Sequence, residues 1–297
     1  MTRGGGRGTD THGADPLVSN LPGAIEEARA SIAERIRVRP EVGIVLGTGL
    51  GNFATAMPDA AAIPYHEIPH FPTTGVESHA GELLAGTLGG RATIVLSGRA
   101  HYYEGYTMRQ VTFPLRVLRA LGVHTLVVTN AAGGMNPGYE SADIVMVTDH
   151  INLMGDNPLL GPNDDSLGPR FPDMSEPYDR ALAGIARDVA LEERIRLREG
   201  VLAAVAGPNL ETRAEYRFLR WGGADLVSMS LVPEAIVAAH AGMRLLAFAV
   251  VTDLCLPDAL EPADITKILA NAAQAEPHLT RLVTKVLTRL PARAERA

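Results

Sequence analysis

The feature that most constrains this chain is a series of short aliphatic runs, each closing on glycine or polar residues and most followed by an amphipathic stretch. The runs fall at 42–46 (VGIVL), 92–96, 126–129, 144–147, 201–205, 226–229 and 245–251. Short runs rich in Val, Ile and Leu, without polar alternation, suit strands covered on both faces. Helical spacing appears at 21–36, with Ile25, Ala28, Ile32 and Ile36 on one face, and again at 109–121, 178–194, 212–221, 233–241 and 264–289. Strands alternating with helices, with no long linker and no internal repeat, predict a single α/β domain over 21–297.

Residues 1–20 are rich in Gly, Thr and Asp and lack the apolar core of a signal peptide, which predicts a disordered tail. The Pro-rich stretch 152–177 predicts a long irregular loop, and loops of that length carry function or an interface. A net charge of −7 from interspersed acids and bases leaves no basic stripe for a nucleic-acid backbone. No run of about twenty apolar residues suggests a membrane span. A single cysteine, Cys255, offers neither an internal disulfide nor a thiolate metal site and fits a reducing cytoplasm.

In open α/β sheets ligands gather beyond the carboxyl ends of the strands, and the polar clusters of this chain sit there. GTG follows 42–46, SGRAHYYEG follows 92–96, NAAGG follows 126–129, GPNLE follows 201–205, SMS ends 226–229 and TD follows 245–251. Gly47, Gly49 and Gly51, with the Thr48 hydroxyl, allow backbone N–H groups to approach an anion, although a structural turn is the plainer reading. A P-loop would need Lys-Ser/Thr here, and Asn52 replaces the last glycine of a dinucleotide fingerprint, which argues against a nicotinamide oxidoreductase.

Arg99, His101 and Tyr103 alternate, so in an extended segment all three point to one side. A guanidinium fork suits a phosphate, although a solvated loop fits the segment equally well. Glu211 lies near a helix start, where any carboxylate is favoured, yet it could also accept the N1–H and amino donors of guanine. Ser230, ahead of Pro233, could cap a helix or help its N-terminus bind an anion. Asp253 closes an apolar strand, where an unpartnered acid would be costly. Neither HExxH nor Cys/His spacing points to a metal, and no GxSxG elbow points to a serine hydrolase.

Taken in order, GTGLG, HAGELLAG, SGRAHYYEGY, TNAAGGMNP, DHINLMGDNPLLGPND, FPDMS, AGPNLETRAE, SMSLVPE and VVTD resemble the trimeric family of purine nucleoside phosphorylases and their methylthioadenosine phosphorylase relatives. The resemblance runs from about Val42 to Ala270. It implies an α/β fold with a central mixed sheet flanked by helices. It also implies reversible phosphorolysis of purine (deoxy)ribonucleosides in a cytoplasmic homotrimer of purine salvage. No metal or cofactor is implied, and inorganic phosphate is a co-substrate.

By position, the resemblance assigns phosphate to Thr48, His79, Arg99, His101, the Ala131 backbone and Ser230. Tyr103 and Met229 would hold the ribose, with Phe171 reaching in from the neighbouring subunit. Ala132, Gly133, Leu210, Glu211, Val227 and Asp253 would meet the base, and His101, Glu211 and Asp253 would carry the catalysis.

Two positions depart from the pattern. Asp253 stands where 6-oxopurine-specific relatives usually carry Asn, and an ionised Asp suits a 6-amino group, as in the methylthioadenosine branch. Glu211 argues for 6-oxopurines. Ile265 or its neighbour stands where the family often places a His against the ribose 5′-hydroxyl, so 5′-methylthioadenosine is the alternative substrate. A non-catalytic nucleotide-binding protein is the remote alternative, with little use for Arg99, His101 and Ser230 on one anion.

Overall fold

The aliphatic runs form strands whose alternate side chains enter two different cores, in a computed structural model that describes residues 16–47, 55–75 and 80–291. The chain order is α1 (Pro16–Ser19), α2 (Leu21–Ala33), β1 (Val42–Val45), β2 (Ala61–Pro64), β3 (Glu82–Leu88), β4 (Arg91–Ser97), α3 (Met108–Ala120), β5 (Thr125–Gly134) and β6 (Ile144–Leu153). Then follow α4 (Arg180–Glu192), β7 (Leu197–Val205), α5 (Arg213–Trp221), β8 (Leu226–Ser228), α6 (Val232–His240), β9 (Arg244–Leu254) and α7 (Ile265–Thr288).

The strands make one mixed sheet in the order β2-β3-β4-β1-β5-β8-β7-β6-β9, and β9 returns to pair with β5. Five strands therefore close a ring, and the other four extend from β5. Parallel pairs join β1 to β4 and β5, β5 to β9, and β7 to β6 and β8, while the pairs β2/β3, β3/β4, β5/β8 and β6/β9 are antiparallel.

Side-chain alternation sorts the strands between layers. Val45, Ile94, Leu96, Leu126 and Val128 pack into one core with Ile25, Phe113 and Val237 of α2, α3 and α6. Their neighbours Ile44, Val95 and Val127 enter a second core with Leu182 and Val189 of α4 and Leu279 and Val286 of α7. Each such side chain contributes about 1.5–3 kcal/mol by leaving water.

Three features differ from expectation. β2 and β3 lie outside the seven predicted strands, because ELLAGTL mixes Glu, Gly and Thr into its aliphatic pattern. β3 and β4 form a hairpin through Gly89 and Gly90, whose φ of 56° and 75° match a two-residue turn that favours glycine. At the end of the expected tail, Pro16–Ser19 form a helical turn and Leu17 is only 3% exposed in the first core, so apolar burial orders this segment. The long loop is as expected: no helix or strand interrupts the chain between β6 and α4.

Candidate active site

Strand ends create the site. A cavity opens where the chain leaves β1, β4, β5, β8 and β9, and it is walled by the turn after β7. Twelve of the predicted side chains and backbone positions line it together: Arg99, His101, Tyr103, Ala131, Ala132, Gly133, Leu210, Glu211, Val227, Met229, Ser230 and Asp253. Thr48 and His79 lie outside the described residues. Phe171 stands apart, 86% exposed with the Arg170 guanidinium 5.6 Å from its ring centre, and does not line this chain's cavity.

Arg99 anchors one end. It is 5% exposed, and its guanidinium is held from several directions. Nη2 donates to the carbonyls of Thr129 (2.6 Å) and Val45 (3.3 Å), Nη1 donates to Ser230 Oγ (3.2 Å), and Nε lies 3.2 Å from Glu234 Oε1. Burial pulls its pKa down, and the buried Glu234 carboxylate opposes that. Such a cation is preorganised, with little side-chain entropy left to lose on meeting an anion.

His101 does not continue as an extended strand with Tyr103, because Tyr102–Glu104 turn into a 3-10 helix capped by His101. The ring of Tyr103 stacks on that of His101 instead, with centres 4.8 Å apart and planes 15° off parallel, so both still reach the cavity. His101 Nδ1 lies 3.0 Å from Glu104 Oε1. Burial, with Arg99 adding to it, lowers the His101 pKa from 6.5 to about 4 against the pull of Glu104. Burial pushes the Glu104 carboxyl up, but hydrogen bonds from Gly75 N–H and from His101 prevail and hold it below its usual value. A neutral imidazole donating Nδ1–H to Glu104 carries its lone pair on Nε2.

Ser230 is not a helix cap. The α6 N-cap is Leu231, which makes no side-chain capping bond, and its φ of 73° with Val232 N–H donating to Ser230 C=O at 3.0 Å forms a left-handed γ-turn. This strained turn between β8 and α6 aims the Ser230 hydroxyl at Arg99.

The opposite end is lined by Glu211, Asp253 and apolar groups. Burial raises the Glu211 carboxyl, with the charges of Glu215 and Asp253 adding to it, against hydrogen bonds from its own backbone N–H and from Tyr216. Thr252 Oγ1 is 3.0 Å from Asp253 Oδ1, and Cys255 Sγ donates to Oδ2 at 3.1 Å. Gly133 is required where it stands, since a Cβ there would lie 2.6 Å from Cys255 Sγ. Val227 and Ala132 are buried, whereas Leu210 is half exposed at the rim. Ile265, predicted near the sugar, is 69% exposed; Ile268, one helical turn on, lines the cavity instead.

Sequence reasoning missed Glu104, Tyr216, Glu234 and Cys255. One signal was present: Glu104 falls three residues after His101. Among the described residues, no group of three or more His, Cys, Asp or Glu could hold a metal ion.

Fold and cavity together define a class. The model of the phosphorylase superfamily matches residues 41–288, and the chain belongs to that superfamily. Purine nucleoside phosphorylase 1 of Geobacillus stearothermophilus is 46% identical over 264 residues, covering 89% of this chain and 96% of the relative. The mouse purine nucleoside phosphorylase is 44% identical, covering 88% and 92%. The crystal structure of the Schistosoma mansoni purine nucleoside phosphorylase in complex with adenosine superposes with a TM-score of 0.87 at 38% identity, covering 92% and 99%. Within the superfamily, the chain belongs to the purine nucleoside phosphorylases.

Proposed function

We propose that this chain catalyses the reversible phosphorolysis of purine nucleosides and deoxynucleosides to free base and (deoxy)ribose 1-phosphate. The observation that carries the reading is a single cavity with the buried Arg99, His101 and Ser230 at one end and Glu211 and Asp253 at the other. Arg99, His101, Ser230 and the Ala131 backbone, with Thr48 and His79, hold phosphate. Tyr103 and Met229 hold the sugar. Ala132, Gly133, Leu210 and Val227 cover the base, and Glu211 and Asp253 meet its polar edge.

In the reaction a phosphate oxygen bonds to C1′ as the C1′–N9 bond breaks, and that electron pair leaves with the purine, which takes up a proton. The sugar passes through an oxocarbenium-like state that the held phosphate stabilises, so no protein nucleophile is needed. Orientation of the two substrates supplies much of the rate. Phosphate brings its own charge as co-substrate, and no cofactor is required.

The exposed Phe171 supports a homotrimer in which this ring completes a neighbouring subunit's sugar site, since a phenyl group so exposed gains by burial. Purine salvage in a cytoplasmic compartment is the setting we propose, in keeping with the lone cysteine. A second reading, 5′-methylthioadenosine as substrate, is favoured by the apolar Ile268 in the cavity. The test is base release from inosine, guanosine, adenosine and 5′-methylthioadenosine with and without phosphate. Phosphate-dependent release from purine nucleosides is expected, and no release from any of the four would refute the reading.

A further inference from the structure

Asp253 and Glu211 are joined behind the base end of the cavity by a chain of side chains. Cys255 is 1% exposed and donates Sγ–H to Asp253 Oδ2 at 3.1 Å. The Tyr216 phenol interacts with both the Cys255 thiol and the Glu211 carboxylate. All four residues line the cavity. The thiol is also fixed sterically, because the absent side chain of Gly133 leaves the space that Sγ fills.

Proton inventory gives this chain a direction. A thiol has one proton, and Cys255 spends it on Asp253, while the one proton of the Tyr216 phenol faces both the Cys255 sulfur and the Glu211 carboxylate. Burial pushes both the thiol and the phenol well above their usual pKa, so both remain protonated donors. Asp253 therefore meets a donor at Oδ2 from the protein side, and its remaining lone pairs are left to accept from the cavity. A carbonyl at purine position 6 would bring oxygen against oxygen there, whereas an exocyclic amino group brings an N–H.

We infer that Cys255, with Tyr216 behind it, is a specificity-determining positioning pair that keeps Asp253 an acceptor and turns the site toward purines bearing a 6-amino group. The inference rests on the proposed phosphorolysis and on its placing of the base between Glu211 and Asp253. Cys255 acts through Asp253, and Tyr216 through Cys255.

The test compares kcat/KM for adenosine and inosine at saturating phosphate in the wild type, Cys255→Ala, Cys255→Ser and Tyr216→Phe. The wild type is expected to cleave adenosine. Cys255→Ala should lower the adenosine-to-inosine ratio about tenfold and Tyr216→Phe about threefold, as expected for one lost hydrogen bond and one loosened one. Cys255→Ser, which restores a donor of similar size, should bring the ratio back to within about twofold of the wild type. A purely structural role would lower both substrates together and leave the ratio unmoved, which overturns the inference. Tyr216→Phe keeps the ring and provides the same reading if Cys255→Ala does not fold. A wild type that cleaves inosine but not adenosine would overturn this inference and leave phosphorolysis standing; absence of phosphate-dependent cleavage of either would overturn both.

Discussion

The two ends of the cavity are built differently. At the end proposed to hold the anion, Arg99 is fixed by the carbonyls of Val45 and Thr129 and by Ser230 and Glu234 at the start of α6, groups from three separate parts of the chain, and almost none of it is exposed. At the end proposed to hold the base, Glu211 and Asp253 are half buried, Leu210 is half exposed, and the polar contacts come from near neighbours such as Thr252 and Cys255. A charged co-substrate common to every turnover repays a rigid, desolvated cradle. Discrimination among bases turns on a few donors and acceptors, which a change of one side chain can invert.

If the anion end is the rigid one, its loss should be the most damaging. Arg99→Met is expected to lower kcat/KM for phosphate by roughly a hundredfold to a thousandfold, as for a removed preorganised donor, with little change in nucleoside affinity. Steady-state kinetics with each substrate varied checks this, and equal damage to both would blur the contrast between the ends.

The His101 prediction concerns stability. Its pKa is about 4 in the fold against 6.5 as the usual value, so the unfolded chain binds the proton more readily between those limits. This contribution is complete above pH 6.5, falls as the pH drops toward 4, and amounts to about 3 kcal/mol in all. Denaturant titrations across that range should show a shallower acid decline in His101→Gln than in the wild type; parallel declines would contradict the assignment.

Glu211→Ala should lower guanosine cleavage by about tenfold to a hundredfold while sparing adenosine, the cost of losing a charged acceptor to N1–H. Asp253→Asn should raise the inosine-to-adenosine ratio about tenfold, because an amide can donate where a carboxylate accepts. Competition between paired nucleosides measures both ratios directly. If either substitution also altered the KM for phosphate, the two ends would not be separable.

The same contrast governs what could be read from sequence. Strands such as VGIVL announce themselves because burial on both faces demands aliphatic residues, and β1, β4, β5 and β9 stand where their runs predicted. β2 and β3 were hidden because the edge of the sheet tolerates Glu, Gly and Pro, although Gly89–Gly90 marked the turn from β3 into β4. Arg99, His101 and Asp253 were legible as polar groups at strand ends. Glu234 was not, because its pairing with Arg99 joins positions remote in sequence and comes from the folded packing of α6 against the sheet. Cys255 and Tyr216 were hidden for a similar reason: a thiol and a phenol become informative only when three dimensions show which acids they touch.

The fate of the sugar tests the central claim most directly. With purified protein, inosine and inorganic phosphate, the account predicts one ribose 1-phosphate for each hypoxanthine released, and neither product when phosphate is left out. Free ribose appearing at the same rate with or without phosphate would show that water, not phosphate, attacks C1′, and would contradict it.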